Sequence, residues 1–357
     1  MQVRRAKRDI IAEFYDALEE MGEYCDFFVG RYRAEMAGPE WTRFRHQEYD
    51  GASAVAELIR TKFNVDVDIE TSPNPPSTWT LIVAFLHLVI DAFRRRRPMR
   101  WRRGDPAWRP TPGTASPPTA VAWSLFTRQE TEEIFRNARS HRVTLQAWLL
   151  WSLKEAVASE FVPGTGTLFW YLPVNMHGAF PSAKGGNSNF ALEVRFPIEA
   201  TPVDVQKAIR REFRLRRHWV IAKAAYSLSW MVMRWMLRPL VRLACRQPPS
   251  QGSFSISGST PSESHERRDD GDEWWIGLKP VVKTSPFGCS CVQWGGLLSL
   301  SMQIHPSLAN DPEVARDWIG AWRKAAMGDR LALPSASRDD DRSTFAGADR
   351  LRESTAE

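Results

Sequence analysis

Apolar residues recur at helical spacing early in the chain, where Ile10, Ile11, Phe14, Tyr15 and Leu18 share one face and Gly22 marks a kink or break. The pattern predicts a helix over 5–33, ended by Gly38 and Pro39. Residues 41–45 then read as a short strand and 52–62 ("ASAVAELIRTK") as a helix, so the loop between them sits at a strand-to-helix junction. Such junctions set side chains at the end of a sheet and offer the free N–H groups of a helix start.

Residues 66–118 are punctuated by proline and enclose an apolar piece at 79–93 ("WTLIVAFLHLVIDAF"), with seven arginines following between Arg94 and Arg103. This region reads as a linker holding an adhesive segment. A strand at 119–126 opens the second half, followed by a helix whose Thr127 and Glu130 have the spacing of a capping box. The run 144–161 ("TLQAWLLWSLKEAVASEF") is apolar on one face and long enough for a core helix. Strands follow at 167–175 and 189–196, joined by a glycine-rich turn at 184–188. Thr201, Pro202 and Asp204 then start a helix by cap, first-turn proline and acidic third position. Beyond lie a tryptophan-rich helical stretch (219–244), a strand (253–257), a polar loop (261–273), strands at 274–282 and 295–303, and a last helix at 311–327. Residues 333–357, with Asp339, Asp340 and Asp341 and few apolar groups, read as a disordered tail. The expected organisation is α/β, with a first lobe over 1–110, a second over 111–332 and the tail.

Composition narrows the class. With 43% hydrophobic and 25% charged residues, the chain has the balance of a folded globular protein. Residues 79–93 fall short of the ~20 apolar residues that cross a bilayer, and 219–244 is interrupted by Lys223, Arg234, Arg238 and Pro239. The basic start is followed by an acidic, amphipathic stretch instead of a secretory h-region, so a cytoplasmic protein is expected. Cys25, Cys245, Cys289 and Cys291 are too few and irregular for a disulfide scaffold, and Cys289 and Cys291 lack the second pair of a zinc site; no metal is expected.

The net charge of +6 points to an acidic partner. No helix-turn-helix, zinc-finger or RNA-binding signature accompanies it, so nucleic acid is not expected. An apolar helix ending in clustered arginine suits a protein lying on an anionic bilayer, here the inner membrane face. Arg94, Arg95, Arg96 and Arg97 are therefore candidates for contact with lipid headgroups or other phosphates.

The candidate chemistry lies in "FRHQEYDGAS" (44–53), an H-x-x-x-D-G pattern at the strand-to-helix junction. Acyl transfer to a hydroxyl or amine needs a base that is unprotonated near neutrality, and His46 fits that need. Asp50 would brace the loop by turning inward against an arginine, for which Arg43 and Arg195 are candidates. Gly51 would allow a tight backbone path and close approach of substrate, with a neighbouring N–H facing a developing oxyanion. His177 and His305 receive no role.

At these residues the chain resembles the CoA-dependent acyltransferase superfamily, which includes chloramphenicol acetyltransferase, condensation domains and the wax ester and polyketide-associated acyltransferases. Its pattern is H-H-x-x-x-D-G; here Arg45 stands at the first histidine, while His46, Asp50 and Gly51 match. The order of later motifs is also similar: "VTLQAWLLWSLKEAV", "LPVNMHG", "GGNSNF", "FSISGS" and "GGLLSLSMQIHPSL". The resemblance implies two lobes, each with a mixed sheet flanked by helices, around a cleft that contains His46. It also implies acyl-CoA or an acyl carrier protein as co-substrate, an alcohol or amine as acceptor, and no permanently bound cofactor. Two departures stand out: only 45 residues precede His46, and Ser255-Ile256 stands where relatives often have Ser-Asn. Ser255 and Ser257 are candidate oxyanion donors, and Asn187 flanks a turn near the cleft. Trp219, Trp230 and Trp235 with their neighbouring methionines read as core, the alternative being a tunnel for a long acyl chain. A second reading is a relative that keeps the fold and binds lipid or membrane surfaces without catalysis.

Overall fold

The computed structural model describes residues 10–63, 75–93, 97–104, 117–164, 166–180, 187–228, 236, 239, 241–243, 250–258 and 272–329. It is a mixed α/β structure with two sheets. The expected tail, the loop at 261–271 and Arg94, Arg95 and Arg96 lie outside the described residues.

The larger sheet contains β3 (Ala120–Phe126), β4 (Leu168–Asn175), β5 (Asn189–Phe196), β6 (Gly252–Gly258), β8 (Phe287–Trp294) and β9 (Leu297–Ile304). Their spatial order is β3-β9-β8-β6-β4-β5, with β6 parallel to both β4 and β8 and the other pairs antiparallel. Period-two alternation divides its faces. Phe254, Cys289, Cys291, Leu298, Leu300 and Met302 are buried in a core with Trp148 and Trp322. Those tryptophans come from α5 (Leu145–Val157) and α8 (Pro312–Met327). The cysteine pair is thereby explained: two residues apart on one strand, both thiols face the helices, and burial pushes both up from their ordinary pKa.

The opposite face is lined with serine. Register sets Ser255 beside Ser290 and Ser290 beside Ser301, and in the next row Ser257 beside Val292 and Val292 beside Ser299. Across these hydroxyls runs β7 (Glu273–Leu278): Ser290 and Ser301 donate to the Gly277 carbonyl, and Ser299 donates to that of Trp275. The other edge of β7 pairs with β1 (Phe27–Arg33), which pairs in turn with β2 (Glu40–Phe44). The small sheet is thus closed by a strand from late in the chain, and serine hydroxyls satisfy carbonyls that would otherwise be a buried sheet edge.

Most expected elements are present, including capping boxes at Thr127/Glu130 and Thr201/Asp204 that start α4 (Arg128–Ser140) and α6 (Pro202–Leu215). The helix expected over 5–33 is corrected. The first helix, α1, spans Ile10–Glu20, and Gly22, with a φ of 88°, follows it in the left-handed region. Residues 27–33 are β1 because Phe27 and Val29 face one core while Phe28 faces another, a period of two that outweighs the local helical pattern. Gly30 is required there, since a Cβ would stand 2.6 Å from the Trp41 ring laid across it. The strand expected from 295 begins at Leu297. Gly295 and Gly296, with φ of 53° and 77°, form the two-residue hairpin turn from β8. The sequence pattern missed β8 itself, because its small residues carry little strand preference. Of the tryptophan-rich stretch, α7 (Arg217–Leu228) is described; Trp219 is buried against Met176 and Ala222, while Trp230 and Trp235 lie outside the described residues.

Candidate active site around His46 and Asp50

The H-x-x-x-D-G loop joins β2 to α2 (Gly51–Phe63). Asp50 is the N-cap: its carboxylate Oδ1 accepts from the Ser53 N–H at 2.9 Å, and its own N–H donates to Ser53 Oγ at 2.8 Å. The other oxygen, Oδ2, reaches the second half of the chain. It accepts from His177 Nε2 at 2.7 Å and from the Ser188 N–H at 3.0 Å. Asp50 is completely buried. Burial alone would raise its carboxyl, but the donors from His177, Ser53 and Ser188 outweigh that and hold it below the usual carboxylate range.

The inward-facing Asp50 carboxylate is as expected; its partner is not. Arg43 bonds Asp26 at 2.6 Å and Arg195 bonds Glu193, so neither arginine reaches the loop. A flat imidazole reaches a buried carboxylate where a guanidinium would need more room and more acceptors. The available signal was "VNMHG" itself, a histidine just past a strand end.

His46 is half-buried between aromatic rings, 4.4 Å from Tyr15 and 5.4 Å from Phe27 by centroids. Its Nδ1 lies 3.0 Å from the Tyr49 carbonyl, which can only accept, and 3.2 Å from the Asn187 amide nitrogen, which can only donate; the shorter contact favours the ring proton on Nδ1. Nε2 therefore holds the lone pair. Asn187 donates to the His46 carbonyl at 2.9 Å and receives the Asn189 N–H at 3.1 Å, so this side chain also holds the loop. Its neighbour is the buried Tyr15 hydroxyl. Asn187, expected beside a turn near the cleft, thus touches the His46 loop.

Burial pulls His46 down from 6.5 to about 4; the Tyr49 carbonyl and Asp50 oppose the shift, and the nearby Lys279 ammonium adds to it. Lys279 follows β7 on the face that carries Trp275, beside Gly288 of β8. Burial brings it to about 7, with the Cys289 thiol opposing. Because unfolded histidine takes its proton near 6.5, the unfolded chain binds more protons between that pH and about 4, and stability falls as pH drops through this window. His46→Gln should flatten this limb in denaturant titrations between pH 7 and 4. Lys279→Met should raise the His46 pKa, read from its ring proton shifts; an unchanged value would separate the two groups.

Gly51 has an ordinary backbone φ, so a tight path is not what calls for glycine here. A Cβ built on it meets nothing within 4 Å: the motif opens on free space at this point. Two cavities along α7 and β5 are not lined by His46. Arg45 is exposed and bonds Gln47 and Glu48, stiffening the loop from outside. Ser255 and Ser257 are half-buried on the serine face, and neither bonds His46. His305 is also given work by the structure: it bonds the buried Glu23 at 3.0 Å, tying the segment after α1 to the end of β9.

No protein-family model matches the chain, and no curated protein matches its sequence. Solved structures do match, and they include condensation, epimerization and cyclization domains of peptide and polyketide synthases. It is similar to the nonribosomal peptide synthetase FmoA3 at a TM-score of 0.50 and 12% identity, covering 82% of this chain and 31% of that one. For the condensation domain of the Monacolin K polyketide synthase MokA the values are 0.46 and 12%, covering 81% and 68%. For the EpoB cyclization-docking bidomain from Sorangium cellulosum they are 0.49 and 10%, covering 80% and 59%. At these identities the likeness concerns the fold.

Proposed function

We propose that the chain transfers an acyl group from a thioester, carried by coenzyme A or an acyl carrier protein, to a hydroxyl or amine. The observation that supports this best is the His46 ring, whose Nδ1 faces the Tyr49 carbonyl at 3.0 Å and so leaves Nε2 to take a proton, on a loop whose Gly51 borders open space. The acceptor gives its proton to Nε2 as its oxygen or nitrogen attacks the thioester carbonyl carbon, and the carbonyl electrons move to oxygen. Collapse of that tetrahedral species breaks the C–S bond, and His46 returns the proton to the departing thiolate. The enzyme ends as it began, with no covalent intermediate.

The oxyanion needs donors that are already in place. The Ser53 N–H is spent on Asp50, which leaves the Gly51 and Ala52 N–H groups at the first turn of α2, with Ser255 or Ser257 as further donors. Asp50 and Asn187 act through His46 by holding its loop.

Thiol release from acyl-CoA, followed with and without alcohols and amines, tests the reading. Acceptor-dependent release is expected. Release that ignores the acceptor would make the chain a thioesterase, and no release from either acyl-CoA or an acyl carrier protein would leave a fold that binds without catalysing.

A further inference from the structure

The apolar piece at 79–93 forms α3 (Thr78–Phe93), which lies against α7. Its inner stripe is Leu81, Ala84, Leu88 and Asp91. Leu81 and Ala84 pack inward, and Asp91 pairs with the buried Arg217 at 2.5 Å. Its outer stripe is a different matter. Trp79, Ile82, Leu86, Val89 and Phe93 follow the three-four spacing of one helix face and are 72, 45, 53, 36 and 88% exposed. Phe85 beside them is 55% exposed. The helix's only charged residue, Asp91, faces inward. Folded monomers rarely leave so continuous an apolar strip in water, because each exposed side chain of this size forgoes its burial free energy.

What covers the strip is indicated by charge. In the sequence Phe93 is followed directly by Arg94, Arg95, Arg96 and Arg97. Arg97 is exposed, as is Lys223 on the neighbouring α7 beside Leu81. A second copy of this chain would bring another +6 and another arginine run to the same contact. An anionic bilayer offers the complement to both parts: acyl chains for the strip and headgroup phosphates for the arginines.

We propose that α3 lies in the plane of an anionic membrane, its outer stripe among the upper acyl chains and the arginines after Phe93 at the phosphates. This attachment is peripheral: no helix among the described residues is long and apolar enough to cross a bilayer. It does not depend on the acyl-transfer reading.

Sedimentation of the full chain with vesicles tests it. Vesicles of phosphatidylcholine with phosphatidylserine should carry the protein down, and those of phosphatidylcholine alone should carry much less. Replacing Arg94 to Arg97 with Gln should weaken binding about fivefold per charge removed, and raised salt should act the same way. Leu86→Ser with Phe93→Ser should abolish sedimentation at low salt while the thermal midpoint stays put, since both side chains point outward. Equal binding to both vesicle types, binding that survives the serine pair, or a dimer broken by that pair in sedimentation velocity would each overturn the proposal.

Discussion

His46→Ala should lower acyl transfer by roughly 10² to 10⁴ fold, the usual worth of a positioned general base. The expectation rests on a specific tautomer, with the Nδ1 proton directed at the Tyr49 carbonyl on a loop that Asn187 holds at the His46 backbone carbonyl. The lowered pKa adds a signature that packing alone would not produce. A histidine with its ordinary pKa would give a rate that falls below pH 6.5, whereas here Nε2 stays unprotonated until pH approaches about 4, so the acid limb should lie that low. Near wild-type turnover by His46→Ala would remove the mechanism. An acid limb near 6.5 assigned to His46 would mean that the ring is more open to water than its burial implies.

Asp50→Ala should be the most destabilising single change in the loop, at about 3–5 kcal/mol in denaturant titrations, because it strands buried donors from His177, Ser188 and Ser53 at once. Asp50→Asn should cost less, about 1–3 kcal/mol, since Oδ1 still accepts from Ser53 and His177 can change tautomer, but the Ser188 N–H then faces an amide that cannot accept. Both should impair transfer by loosening the loop. His177→Ala should reproduce much of the loss, and a double-mutant cycle should show strong coupling between the two positions. Because the carboxyl is held below its usual range, the brace is present at and above ordinary carboxylate pKa values and is lost only as pH falls through the lowered one. Full activity with an ordered loop in Asp50→Asn would end the bracing role.

The sequence made some of this visible for physical reasons. Helix starts were legible because a cap and its third residue are neighbours, as at Thr127 and Thr201. The strand, loop and helix around His46 were legible because period two gives way to period 3.6 within a few residues. What could not be read is long-range. His177 meets Asp50 across 127 residues, and no local pattern distinguishes a histidine that bonds a buried carboxylate from one on the surface. Strand β1 was hidden for the same reason: its alternation acquires meaning only once α2 and β3 supply two cores for it to face. The exposed stripe of α3 was half visible, since the apolar run could be read but not which of its sides α7 would cover.

The late strand that closes the small sheet sets a timetable for synthesis. Arg33 on β1 meets Glu273 on β7 across 240 residues, so at about 5–20 residues per second the ribosome needs roughly 12–50 s to supply the partner after β1 has been made. During that interval β1 and β2 form at most a two-stranded hairpin, which is marginally stable alone in water. The loop bearing His46 therefore becomes rigid only after the larger sheet has the strands that will hold β7, and until then a nascent chain presents an open strand edge to chaperones.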